Sequence, residues 1–114
     1  MKIVIAYIQP FMLDKVVDAL RERRVPGMTV LEAKGFGRQT NEKSPHFLDK
    51  DVRIDFAPKV KIEVVCKDEE VDGIVDTIRL SAHTGRHGDG KIFVVDVQKA
   101  VSIRTGQSGE IDRI

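Results

Sequence analysis

The sequence of 114 residues predicts an α+β domain, a four-stranded antiparallel sheet carrying two helices on one face. Two observations carry that prediction. Residues 2–36 and 59–97 each spell strand, helix, strand, and a doubled unit of this kind builds the split βαβ arrangement. Between the two units, residues 37–58 show neither helical nor strand period, carry a proline and mix both charges, so they read as a long loop protruding between strands 2 and 3.

The elements follow in order. Residues 2–8 are rich in Ile and Val on both faces, the pattern of a strand covered on both sides. Pro10 suits a helix's first turn, and Leu13, Val16, Val17 and Leu20 then repeat at helical spacing with Asp14, Lys15, Asp18 and Arg21 between them, which predicts a helix ending near Arg24. Pro26-Gly27 breaks it, and residues 28–36 read as the second strand. Val60, Ile62 and Val64 alternate with Lys61 and Glu63 as the third. Asp68 is the expected N-cap of a second helix, with Val71, Ile74, Val75, Ile78 and Ala82 on its apolar stripe and Glu69 and Glu70 in its first turn. Gly73 inside that helix costs roughly 1 kcal/mol relative to alanine, so close packing is expected there. Residues 92–97 make the fourth strand, and the tail turns polar after Arg104-Thr105-Gly106. Nothing further in the chain covers the sheet's second apolar face, so another copy of the protein is expected to do so.

Composition narrows the function. Residues 1–114 fit one domain. Nineteen basic and eighteen acidic side chains nearly cancel, which gives no bulk field for nucleic acid or an anionic membrane surface. The single Cys66 lies in an apolar run and reads as a small core hydrophobe suited to a reducing compartment. No stretch approaches the roughly 18 apolar residues of a membrane span, and MKIVIAYIQP lacks a signal cleavage region; a soluble, cytoplasmic protein is expected.

The most distinctive stretch is Thr84-Gly85-Arg86-His87-Gly88-Asp89-Gly90-Lys91. Its glycines and lysine suit a backbone wrapped around phosphate, and Gly85 to Lys91 satisfies the first seven positions of a P-loop. The eighth is Ile92, so the magnesium-holding hydroxyl is missing, and the order is helix, loop, strand instead of strand, loop, helix. The loop is therefore expected to bind phosphate without being a true P-loop, the plainer alternative being a glycine-rich turn that joins two elements.

At this point the chain resembles the PII signal-transduction family of nitrogen regulators. The resemblance is carried by Pro10-Phe11, Gly27-Met28-Thr29-Val30, Lys34-Gly35-Phe36-Gly37-Arg38-Gln39, Asp55-Phe56-Ala57-Pro58-Lys59-Val60-Lys61-Ile62-Glu63, Thr84-Gly85, Gly88-Asp89-Gly90-Lys91-Ile92-Phe93-Val94 and Ile103-Arg104-Thr105-Gly106. It implies a homotrimer of ferredoxin-like subunits that binds ATP or ADP as effector in the clefts between subunits. It implies a nucleotide site of Thr29, Gly35, Phe36, Gly37, Arg38, Gln39, Lys59, Glu63, Val65, Gly88, Asp89, Gly90, Lys91 and Arg104, with Thr29 and Glu63 recognising adenine and ribose. Arg104 is expected from the neighbouring subunit. Gln39, beside Mg²⁺ carried by ATP, and Lys59 are the implied 2-oxoglutarate residues. The loop would dock on a target, a membrane transporter or a metabolic enzyme, through Thr40, Lys43, His46, Phe47, Lys50, Val52 and Arg53.

This sequence departs from the family pattern at several of these positions. Val52 stands where the family's uridylylated tyrosine is usual and Lys50 where some members carry a phosphorylated serine, so covalent control there is not expected. Ser102 precedes Ile103-Arg104 where many members carry a second arginine. Tyr7 and Gln9 replace the common isoleucine and lysine of Ile-Ile-Lys-Pro, and Thr40-Asn41 replace Lys-Gly, all around the expected 2-oxoglutarate site.

Two other classes compete with a non-catalytic sensor. An enzyme would use His83 and His87 near Asp89 as acid and base, with Lys91 stabilising developing charge, but no nucleophile with an evident base accompanies them. A trimeric metal-responsive or transporter-associated regulator unconnected with nitrogen would use His46, Asp49, Asp51, Cys66, His83 and His87, whose spacing forms no zinc pattern.

Overall fold

In β1 (Lys2–Ile8), alternate side chains divide between two environments: Val4, Ala6 and Ile8 are buried, and Ile3, Ile5 and Tyr7 are half-buried on the opposite face. The computed structural model describes residues 1–36 and 56–109. Pro10 opens a 3₁₀ turn, Pro10–Met12, that leads into α1 (Leu13–Glu22), where Val16 and Leu20 are buried. The helix stops before Pro26-Gly27. Arg24 adopts φ 62°, a left-handed conformation usually left to glycine, and the Arg24 and Val25 N–H groups donate to the Arg21 and Leu20 carbonyls, satisfying the helix end.

The second strand, β2 (Thr29–Gly35), falls within the expected residues 28–36. β3 (Ala57–Cys66) begins earlier than the alternation starting at Val60 suggests, so the expected loop gives up residues 57 and 58. Pairing explains the difference: Gly35, Lys34 and Ala33 lie opposite Ala57, Pro58 and Lys59. Pro58 is tolerated because β1 reaches only to Val60, leaving that end of β3 with a partner on one side only.

The second helix begins differently from the expectation. Asp68 does not cap it: Asp68–Glu70 form a 3₁₀ turn, and the Asp68 carboxylate instead accepts from the Met1 ammonium at 2.8 Å. The ammonium bond holds the Asp68 carboxyl below its ordinary value. Glu70 accepts from the Lys67 N–H at 3.1 Å, so the acidic residue supporting the turn is two positions further on. In α2 (Val71–Ala82), Ile74, Ile78 and Ala82 are buried and Val71 and Val75 pack at the core's margin, as the stripe predicts. A Cβ on Gly73 would lie 1.5 Å from the Arg23 guanidinium, so the neighbour that uses the missing side chain is a flexible chain end, not rigid backbone.

β4 (Gly90–Asp96) completes a fully antiparallel sheet of order β2-β3-β1-β4. The core fills one side of it: Val4, Ala6, Ile8, Val60, Ile62, Val64 and Cys66 meet Val16 and Leu20 of α1 and Ile74, Ile78 and Ala82 of α2. Cys66 is the core hydrophobe the sequence predicts, and burial pushes its thiol pKa up. Both helices lie on this face, which is the ferredoxin-like arrangement. The other face is open. It carries Leu31, Ile3, Ile5, Tyr7, Val65, Phe93 and Val95, with Phe93 50% and Val95 46% exposed. After β4 the chain closes a small turn through a bridge from Val101 to Ser108 and main-chain bonds from Ser102 to Gln107 and from Gly106 to Ser102, with Arg104 inside it. No helix among the described residues is long and apolar enough to cross a membrane.

Candidate functional site

The stretch between α2 and β4 is a turn folded around one carboxylate. Asp89 accepts from the Thr84 N–H at 2.8 Å, the Gly85 N–H at 2.9 Å and the Thr84 hydroxyl. The Thr84 hydroxyl bond above all, with the two main-chain bonds, holds the Asp89 carboxyl below its ordinary value. The turn needs its glycines: Gly85, Gly88 and Gly90 have φ of 86°, 93° and 113°. At Gly90 a Cβ would lie 1.7 Å from the Tyr7 carbonyl oxygen, because β4 starts flush against β1.

The side chain of Asp89 thus shapes the loop from within. Its main-chain N–H and those of Gly88 and Gly90 remain the groups suited to an anion. Lys91 is exposed beside them and lies opposite Tyr7 in the sheet. From β3, the Lys59 ammonium donates to the Gly88 carbonyl at 2.9 Å, and the Gln9 amide donates to the same oxygen at 2.7 Å. Gly35 closes the group, its missing Cβ position lying 4.0 Å from the Lys59 side chain. Two open hollows flank the cluster. One of about 450 Å³ is lined by Tyr7, Arg79, His83, Gly90 and Lys91 among others, and one of about 470 Å³ by Pro10, Glu32, Lys34, Pro58 and Lys59 among others.

The structure therefore brings Gly35, Lys59, Gly88, Asp89, Gly90 and Lys91 to one end of the sheet. It does not bring Thr29, Glu63 and Val65 to them. Thr29 pairs with Glu63 further along the open face, and four residues of strand separate Glu63 from Lys59, about 13 Å. Glu63 is engaged by Lys61 at 3.2 Å, which raises the Lys61 pKa, and the Lys61 ammonium stands 5.9 Å from the centre of the Tyr7 ring. β4 carries the chain from the glycine turn to the opposite end of the sheet, roughly 20 Å, and the tail that holds Arg104 begins there. Phe36 forms an edge-to-face pair with Phe56, ring centroids 5.1 Å apart, clasping the two ends of the intervening segment. Gly37, Arg38 and Gln39, and with them Thr40, Lys43, His46, Phe47, Lys50, Val52 and Arg53, lie outside the described residues.

The residues proposed for other chemistries are scattered. His83 Nδ1 stands 3.7 Å from Asp89, whose oxygens already serve the turn, and His87 makes no hydrogen bond or ion pair among the described residues. Cys66 precedes α2 and His83 follows it, so the length of a 12-residue helix, about 18 Å, divides them. No group of three or more His, Cys, Asp or Glu side chains among the described residues is placed to hold a metal ion. Sequence reasoning assigned no role to Gln9 or Thr84. Gln9 differs from the common lysine, which marked it as unusual without saying what it touches.

Fold and site together define a small ferredoxin-like domain with a glycine turn and two lysine ammonium groups gathered at one end of an uncovered sheet face. Comparison with known proteins agrees and goes further. The family model described as nitrogen regulatory protein P-II matches residues 1–107. The chain is 50% identical over 109 residues to the nitrogen regulatory protein P-II of Mesorhizobium japonicum, covering 96% of each chain. It is also 50% identical over 110 residues to nitrogen regulatory protein P-II 1 of Escherichia coli, covering 96% of this chain and 97% of the relative. The chain belongs to the nitrogen regulatory protein P-II family.

Proposed function

We propose that this protein is a non-catalytic sensor, a homotrimer that binds ATP or ADP in the clefts between its subunits and controls a target through residues 37–55. The target is a membrane transporter or a metabolic enzyme of nitrogen metabolism, and 2-oxoglutarate with Mg²⁺ tunes the binding. The observation that carries this reading is that the expected site is split. Its phosphate-type groups gather at one sheet end, while Thr29, Glu63 and Val65 stand along an open apolar face and the tail that carries Arg104 begins at the far end. A second copy covering the face would join the two halves.

The residues present fit the ligand's chemistry. Glycines at 88 and 90 leave main-chain N–H groups approachable, Lys91 adds an exposed ammonium, and among the described contacts Lys59 gives one of its three donors to Gly88. Lys59 would meet a carboxylate of 2-oxoglutarate. Because Asp89 already accepts three bonds inside the turn, its carboxylate is not assigned to Mg²⁺; that role stays with Gln39. An effector changes the docking segment only through unequal affinity for its two states. Calorimetry with ATP, ADP and AMP, each with and without 2-oxoglutarate, tests the reading. Saturable ATP or ADP binding without turnover is expected, and no detectable binding of any nucleotide would overturn it.

A further inference from the structure

Two donors converge on one oxygen at the heart of the glycine turn. The Gly88 carbonyl accepts from Gln9 Nε2 at 2.7 Å and from Lys59 Nζ at 2.9 Å. Gln9 is half-buried at the end of β1, just before the Pro10 turn, so its backbone is held on both sides. A Cβ on Gly88 would lie 2.9 Å from the Gln9 amide nitrogen, which shows how closely the amide approaches the turn.

The peptide plane makes this contact consequential. In a trans peptide the carbonyl of one residue and the N–H of the next point in opposite directions, and the structure contains no cis peptide bond. Fixing the Gly88 carbonyl toward Gln9 and Lys59 therefore turns the Asp89 N–H the other way. Gly88 has φ 93° and, as glycine, meets little steric resistance to other orientations. The turn's Asp89 carboxylate anchors Thr84 and Gly85 at its start, but among the described contacts the carbonyl of Gly88 is held only by Gln9 and Lys59.

We infer that Gln9 is a positioning residue for the anion site, an inference that rests on the nucleotide reading above. It pins the Gly88–Asp89 peptide so that the Asp89 N–H faces the phosphates, and it keeps Lys59 docked at the turn's edge. Gln9 acts through the loop it touches.

The test compares wild type with Gln9→Met, which keeps the side chain's length and loses its donor, and Gln9→Lys, which restores a donor. Amide ¹H–¹⁵N signals of Asp89 and Gly90 are recorded without nucleotide, ATP affinity is measured by calorimetry, and thermal midpoints control for folding. Gln9→Met is expected to shift both amide signals, weaken ATP binding about 3- to 10-fold and leave the midpoint within error, as befits one hydrogen bond at a half-exposed site. Gln9→Lys is expected to return the signals toward wild type. Unchanged Asp89 and Gly90 signals in Gln9→Met overturn the inference whatever happens to affinity, and so does failure of Gln9→Lys to restore them. If wild type binds no ATP, the nucleotide reading falls while the amide signals still decide the role of Gln9.

Discussion

Gly90 shows how one residue can be required by geometry that its neighbours in sequence do not reveal. The run Gly88-Asp89-Gly90-Lys91 marks an anion loop, but the reason for the second glycine is the Tyr7 carbonyl, which a Cβ would meet at 1.7 Å. Gly90→Ala combines that clash with φ 113° and is expected to cost about 2–4 kcal/mol, read from chemical denaturation; a loss within error would mean that β4 starts elsewhere. Asp89 carries the second prediction at this scale. Its carboxyl is held below the ordinary value by Thr84 and Gly85, so its stabilisation of the turn is fully present above the ordinary value, near pH 4, and is lost as pH falls through the lower folded value. Thr84 and Gly85 amide signals should hold steady near pH 5 and move on further acidification, and Asp89→Asn should remove that acid-dependent movement. Persistence of the movement in Asp89→Asn would assign it to another group. The motif suggested an anion-binding role for this residue's main chain, and the inward carboxylate was not legible because it depends on the turn's full conformation.

At the scale of elements, the sequence pattern predicted the four strands and two α-helices but not the two 3₁₀ turns, and the differences in their bounds lie where a distant partner decides. β3 starts at Ala57 because β2 is there to pair with it, although Pro58 reads locally as a breaker. Asp68 has the local signature of a cap, yet the Met1 ammonium, brought close by the sheet, takes its carboxylate. Lys2 likewise pairs across the same end with Asp96, whose carboxylate raises its pKa. Gly73 offers a test of which local cost matters. Arg23 overlies it and, among the described residues, reaches Thr77 through a bond of 3.4 Å, so an added methyl displaces an exposed guanidinium and little else. The gain in helix propensity, roughly 1 kcal/mol, outweighs that loss, and Gly73→Ala is expected to raise stability by about 0.5 kcal/mol in denaturant titration. A destabilised variant would show that the guanidinium is held more firmly than one weak bond implies.

For the whole molecule, the informative feature is a sheet with a core on one side only. The apolar residues of the open face announced a need for cover in the sequence itself, since strands rich on both faces cannot all be served by two helices. The resemblance implied a site shared between subunits, with Arg104 from a neighbour; the residue periods by themselves did not. The topology is compatible with that: β4 runs from the glycine turn to the opposite end of the sheet, so Lys91 stands at one end and the tail that carries Arg104 begins at the other. The nucleotide site proposed above, containing both, would be a property of the assembly.

The central claim is that each nucleotide site takes its glycine turn from one copy and Arg104 from another. Lys91→Ala and Arg104→Ala are prepared separately, each expected to lose at least tenfold in ATP affinity because a charge-assisted phosphate contact is removed. The two variants are then unfolded, mixed and refolded together, and high-affinity ATP sites are counted by calorimetry. Mixed assemblies contain interfaces where an intact turn meets an intact Arg104, so a fraction of wild-type sites should reappear. Refolded mixed assemblies that recover none would contradict the account, because a site built within one chain cannot be rescued by its neighbour.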